Sequence, residues 1–70
     1  MDTLDLHGIR HREVDRLVEN FVLLRGLPVR IIVGNSTRMR ELALAVVKRH
    51  NLQFHYENDF NLGSLVILAD

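Results

Sequence analysis

Hydrophobic and polar positions change period several times along these 70 residues, and each change marks an element. Leu4 and Leu6 alternate with Asp5 and His7, the two-residue period of a strand with one covered face, and Gly8 breaks it. From Glu13 the period lengthens: Val14, Leu17, Val18, Phe21 and Leu24 recur at spacings of three and four, with Arg12, Asp15, Arg16 and Glu19 turned outward. Gly26 and Pro28 stop this helix. Val29-Arg30-Ile31-Ile32-Val33 is rich in β-branched residues and predicts a second strand. After the loop Gly34-Asn35-Ser36-Thr37, Met39, Leu42, Ala43, Val46 and Val47 form a second helical stripe that runs to Lys48-Arg49-His50. Ser36 or Thr37 is its N-cap, and Asn51 its left-handed end.

Phe54 and Tyr56 alternate with Gln53, His55 and Glu57 in a third strand with one wet face. Asn58-Asp59-Phe60-Asn61 with Gly63 makes the last turn. Leu65-Val66-Ile67-Leu68-Ala69 is apolar at both parities, as in a strand flanked on both edges and partly covered on both faces. The order β-α-β-α-β-β predicts one α/β domain over residues 1–70, a two-layer α/β sandwich with a mixed four-stranded sheet. Helical crossovers let strands one to three run parallel, and the short last turn makes strand four antiparallel to strand three and places it inside the sheet.

Composition narrows the chemistry. A 47% hydrophobic and 26% charged chain of this length supports one thin core and argues against a disordered tail. The absence of cysteine removes disulfides, thiolate metal sites and a cysteine nucleophile. Apolar runs such as Leu42–Val47 are far shorter than the roughly 18 residues of a bilayer span. Two acids near the N-terminus are unlike a secretory signal, so the expectation is a soluble cytoplasmic protein with no membrane partner. The nine basic and nine acidic residues cancel, yet Arg25, Arg30, Arg38, Arg40, Lys48 and Arg49 face only Glu41 between residues 25 and 50. That local surplus of five, extended by Arg10, Arg12 and Arg16, suits a phosphate backbone; it equally describes two solvated helix faces.

Two features carry candidate chemistry. Asp5 and His7 fall on one side of the first strand just before a glycine turn, a carboxylate and an imidazole placed for acid/base work; the alternative is the solvated face of an edge strand. Gly34, Asn35, Ser36 and Thr37 join a strand to a helix, where free backbone N–H groups and the helix dipole favour a phosphate, with Arg38 and Arg40 in the first turn; the alternative is an ordinary capped helix start. If strands one and two are parallel neighbours, both turns lie at the same carboxyl edge, where open α/β sheets bind ligands. His7 and His11 are separated by a glycine break, His50 suits a helix C-terminus, and His55 stands in solvent beside Glu57, so neither a metal site nor a cofactor is predicted. Ile32 and Ile67 could leave an apolar patch on the sheet face away from the helices, the basis for expecting a weak homodimer.

Leu4-Asp5-Leu6-His7-Gly8 resembles the LDLHG opening of the Smr, or small MutS-related, domain, and the resemblance covers essentially the whole chain. A second signature of that family, HGxG or TGxG, falls where this chain has Val33-Gly34-Asn35-Ser36, and its closing glycine turn is similar to Gly63-Ser64-Leu65-Val66-Ile67-Leu68. The resemblance implies a sandwich like the C-terminal domain of bacterial translation initiation factor three and binding to DNA or RNA. It further implies endonuclease activity, with Asp5 and His7 at the positions tied to cleavage and Gly34 at the first glycine of the second signature; together with the charge and helix-start readings, Gly8, Arg10, Gly34, Asn35, Ser36, Thr37, Arg38 and Arg40 are the candidate nucleic-acid contacts. Val33 and Ser36 depart from the pattern: a valine exchanges no proton, and Ser36 adds a side chain where a glycine would let a phosphate approach. The counterpart expectation is a binding module, for nucleic acid or protein, that has lost catalysis.

Overall fold

A computed structural model describes residues 1–58, 60 and 62–69. The order is β1 (Asp2–Asp5), α1 (His11–Leu24), β2 (Val29–Ile32), α2 (Thr37–Arg49), β3 (Gln53–Tyr56) and β4 (Ser64–Leu68), in one mixed sheet ordered β1-β2-β4-β3. β1 and β2 are parallel, and β4 is antiparallel to both β2 and β3, so the first three strands share a direction and the last one lies inside, as the apolar run predicts. Asp59 and Asn61 of the predicted last turn lie outside the described residues.

Register divides the sheet into two faces. Val29 pairs with Ile67 and Ile31 with Leu65, and all four are fully buried against Val14, Val18, Ala43, Val46 and Val47 of the two helices. Phe54 and Tyr56 extend this face at the β3 edge, where their rings meet edge to face at 6.0 Å. The opposite face carries Thr3, Asp5, Arg30, Ile32, Ser64, Val66 and His55, because strand side chains alternate. Ile67 therefore lies beneath the helices and Ile32 on the other side. The apolar patch that suggested a homodimer does not form, because two residues separated by an odd register offset cannot share a face.

Several boundaries differ from the sequence reading: β2 ends at Ile32 and β4 runs from Ser64 to Leu68, each displaced by one residue. β1 begins at Asp2 and its regular pairing ends at Asp5, although the Leu6 N–H still reaches the Ile32 carbonyl at 3.0 Å. α1 begins at His11, and its buried row is Val14, Val18 and Val22, while Leu24 is 81% exposed. A row at four-residue steps follows the contact with α2, and Leu24 lies off that row, lining a shallow groove with Leu4 and Phe21. In α2 the outcome matches the expectation: the Ser36 hydroxyl accepts the Met39 N–H at 3.0 Å, Asn51 closes the helix with φ 58°, and Met39, Ala43, Val46 and Val47 are buried.

The helices are joined at their solvent side by charge. Arg49 donates to both carboxylate oxygens of Asp15 and to Glu19, each at 3.0 Å, and the His50 imidazole stands 2.9 Å from the same Glu19. The Arg49 guanidinium holds the Asp15 carboxyl below its ordinary range, and His50 followed by Arg49 does the same to Glu19.

Truncating Ile67 to alanine should cost about 2–5 kcal/mol, against a total stability of about 4–10 kcal/mol for a chain this long; Leu24→Ala should change it by less than about 0.5 kcal/mol. Urea unfolding of both variants checks the pair. Because Asp15 and Glu19 titrate lower when folded than their ordinary 3.8 and 4.5, the stability they contribute is complete above pH 4.5 and drains as pH falls through the lower folded values. Arg49→Gln should flatten that acid limb in melting temperatures recorded across pH.

Candidate functional site

Parallel pairing of β1 and β2 brings the turns after both strands to one edge of the sheet, and between them lies a cleft of about 380 Å³. Asp5, Leu6, His7 and Gly8 form one wall and Val33, Gly34, Asn35 and Ser36 the other, with Ile32 and Met39 completing it. Two glycines in the left-handed region shape the rim, Gly8 at φ 77° and Gly34 at φ 64°, a conformation that other residues adopt only with strain. Leu6, Val33 and Met39 belong to the core, so the floor is apolar and rigid while the rim is polar. Concave sites with an apolar floor and a few convergent polar groups are the usual form of ligand sites.

The two predicted catalytic side chains reach the cleft, but not as a carboxylate orienting an imidazole. Asp5 Oδ1 accepts the backbone N–H of His7 at 2.9 Å, which fixes the turn. His7 is exposed, and its ring forms no hydrogen bond among the described residues. A two-residue offset on a regular strand would have aligned the two side chains; the strand ends at Asp5, and the chain turns before His7.

The phosphate-binding segment is likewise rearranged. The Gly34 N–H, one of the expected donors, goes to the Gly63 carbonyl at 3.1 Å, and the Val33 N–H goes to the same oxygen at 2.8 Å. The Met39 N–H is taken by the Ser36 cap. Among the described residues the backbone N–H groups of Asn35, Ser36, Thr37 and Arg38 have no backbone partner, so the donors of the α2 terminus remain. Arg10, Thr37, Arg38 and Arg40 stand outside the cleft wall. Arg10 holds the N-cap position of α1 without a side-chain capping bond, Arg38 approaches Glu41 at 3.8 Å on the exposed helix surface, and Arg40 Nε donates to the Leu62 carbonyl at 3.3 Å.

The surplus of positive charge in the middle of the chain is mostly cancelled across the fold. Arg25 pairs with Asp2, Arg30 with Glu57, and Arg49 with Asp15 and Glu19, acids that lie elsewhere in sequence. Arg16 pairs with Glu13. Among the described residues Arg10, Arg12, Arg40 and Lys48 have no acidic partner, and the first three sit in the opening turns of the two helices or just before them. Since both helices start at the carboxyl edge of β1 and β2, Arg10, Arg12 and Arg40 gather at the end that holds the cleft, with His7 and His11 beside them and the Asp5 carboxylate on its wall, while Lys48 lies in the last turn of α2.

Among the described residues no three His, Cys, Asp or Glu side chains converge as metal ligands. His55 Nδ1 lies 2.9 Å from the Tyr56 carbonyl, and Asp5 is engaged by the turn. No described helix is long and apolar enough to cross a membrane. The meeting of Arg30, Ser64 and Glu57 on the open face is not legible in the sequence, since alternation in a single strand does not reveal which neighbour faces it. The chain matches no family model, no curated protein and no solved structure.

Asp5→Ala should loosen the His7 turn, with faster exchange of the His7 amide proton and a loss of about 1 kcal/mol in urea unfolding. Asp5→Asn retains the accepting oxygen and should preserve most of both.

Proposed function

We propose that the chain is an Smr-like domain that binds nucleic acid at the carboxyl edge of its sheet and cleaves a phosphodiester there. The observation that carries this reading is the cleft itself: an exposed His7 imidazole with no ring partner faces a helix start whose N–H groups are open, across an apolar floor. The fold expected of that family, like the C-terminal domain of bacterial translation initiation factor three, is part of the same proposal; the element order and the inserted last strand support it.

RNA is the chemically simpler substrate. His7 takes the proton of a 2′-hydroxyl, that oxygen attacks the neighbouring phosphorus, and the 5′-oxygen leaves with a proton from water. A 2′,3′-cyclic phosphate and a 5′-hydroxyl result, with no metal in the step. The N–H groups of Asn35 and Ser36, on the cleft wall beside the α2 terminus, hold a phosphate oxygen, and Arg10 and Arg40 supply long-range positive charge. Asp5 acts through the turn, as a positioning residue.

A second reading, a nucleic-acid-binding module without catalysis, is favoured by Val33. It is 5% exposed in the core at the position of a protonatable residue in the family pattern, so His7 has no proton-exchanging partner across the cleft.

Labelled single-stranded RNA, duplex DNA and branched DNA should be incubated with wild type, His7→Ala and Asp5→Ala, with and without EDTA. Cleavage of RNA that survives EDTA and falls by about 100-fold or more in His7→Ala, while binding persists, supports the enzyme. Equal background in all three proteins with binding retained supports the module. In either case three uncompensated cations at the cleft end predict a shallow salt dependence, with log K falling against log salt at a slope of about −2. Titrations by fluorescence anisotropy at several salt concentrations measure it.

A further inference from the structure

A second groove of about 500 Å³ lies on the sheet face away from the helices, lined by Arg30, Ile32, Gly34, Glu57, Gly63 and Ser64. It shares Ile32 and Gly34 with the cleft beside His7, so the two depressions adjoin across the end of β2. Arg30 sits in the middle of this face, opposite Val66 of β4. Its guanidinium spans the sheet: one nitrogen approaches Thr3 Oγ1 on β1 at 3.4 Å, and another pairs with Glu57 just beyond β3.

The pairing leaves donors unused. Arg30 Nε is shut off from solvent without an acceptor, and the hydroxyl of Ser64, a residue only 5% exposed, has no partner in hydrogen-bond geometry. Ser64 nevertheless stands close enough to the Glu57 carboxylate that it and Arg30 together hold that carboxyl below its ordinary range. A buried, unpartnered hydroxyl and a guanidinium lining one groove beside a carboxylate constitute an anion seat. Glu57, tethered at the end of β3 by its own N–H to the Ser64 carbonyl at 2.9 Å, fills that seat incompletely. A phosphate group carries more acceptor oxygens, arranged to take the arginine fork on two of them.

We propose that Arg30 and Ser64 form a second phosphate seat for a nucleic-acid strand running from the His7 cleft across the open sheet face, and that the Glu57 carboxylate occupies this seat in the free protein. The proposal rests on the nucleic-acid reading above and deepens it: the strand displaces an internal competitor when it binds. An internal competitor lowers the apparent affinity by the fraction of time it holds the site. Removing its charge should therefore tighten binding, the opposite of what the loss of an ordinary structural ion pair would do.

The test uses the isotope-labelled full chain and a short single-stranded oligodeoxynucleotide, which lacks the 2′-hydroxyl and stays intact. Resonances of the Arg30 Nε–H and the Ser64 amide should move in the same saturating titration as those of Gly8 and Asn35. Glu57→Gln, which keeps size and polarity, should bind about five-fold tighter by the same argument from competition. Movement at Gly8 and Asn35 with Arg30 and Ser64 unmoved, or unchanged or weaker binding by Glu57→Gln, overturns the second seat and leaves the cleft reading standing. No movement at either place overturns both.

Discussion

A slip of β4 by one residue against β2 would turn Leu65 and Ile67 out to the open face and drive Ser64 and Val66 under the helices. The thin core of a 70-residue chain has no reserve against that exchange. The pairing of Val29 with Ile67 and of Ile31 with Leu65 is thus the contact on which both layers depend. It fixes which residues meet the helices, holds β3 in the sheet through β4, and places Arg30 and Ser64 on the opposite side. The two halves of the chain are joined there: β1, α1, β2 and α2 are local in sequence, whereas β4 must return past the whole of α2 and β3 to take its place beside β2.

The same insertion shapes the edge where the cleft lies. The Gly63 carbonyl, at the entry to β4, accepts the N–H groups of Val33 and Gly34 and so ties the end of β2 to the last strand. Gly34 can then take its left-handed turn into α2, and Ser36 caps that helix. On the other wall Asp5 binds the His7 N–H, and the Ile9 N–H returns to the Leu6 carbonyl at 3.0 Å. Each wall is held by short backbone contacts, with Leu6 and Val33 anchored in the core below. The cleft is consequently a product of the scaffold, and its exposed groups ride on rigid turns.

Charge follows the fold more than the chain. In a run that looks basic in sequence, Arg25, Arg30 and Arg49 each face, after folding, an acid from elsewhere in the chain. Most of these pairs are exposed and contribute little individually to stability. Their larger effect is to leave Arg10, Arg12 and Arg40 at the end of the molecule where two helix starts add their own partial charge, with Lys48 at the other end of α2.

Periodicity determined the six elements, the wet face of β3 and the interior position of β4, because each rests on side-chain spacing or on apolarity at both parities; residue type narrowed the α2 cap to Ser36 or Thr37, and the structure chose Ser36. Periodicity also brought the His7-Gly8 turn and the Gly34 loop to one edge, since parallel strands joined through helices leave little other choice. Only the tertiary structure decided what those residues touch. The early end of β1 turned Asp5 from the His7 ring to its backbone, Gly63 took the Gly34 N–H, and Ile67 went under the helices instead of joining Ile32. The meeting of Arg30, Ser64 and Glu57 was equally hidden. The physical reason is common to all of them: local spacing sets the direction of a side chain relative to its own element, while its partners are set by register and by the point at which an element stops, which are settled only when the sheet and helices pack together.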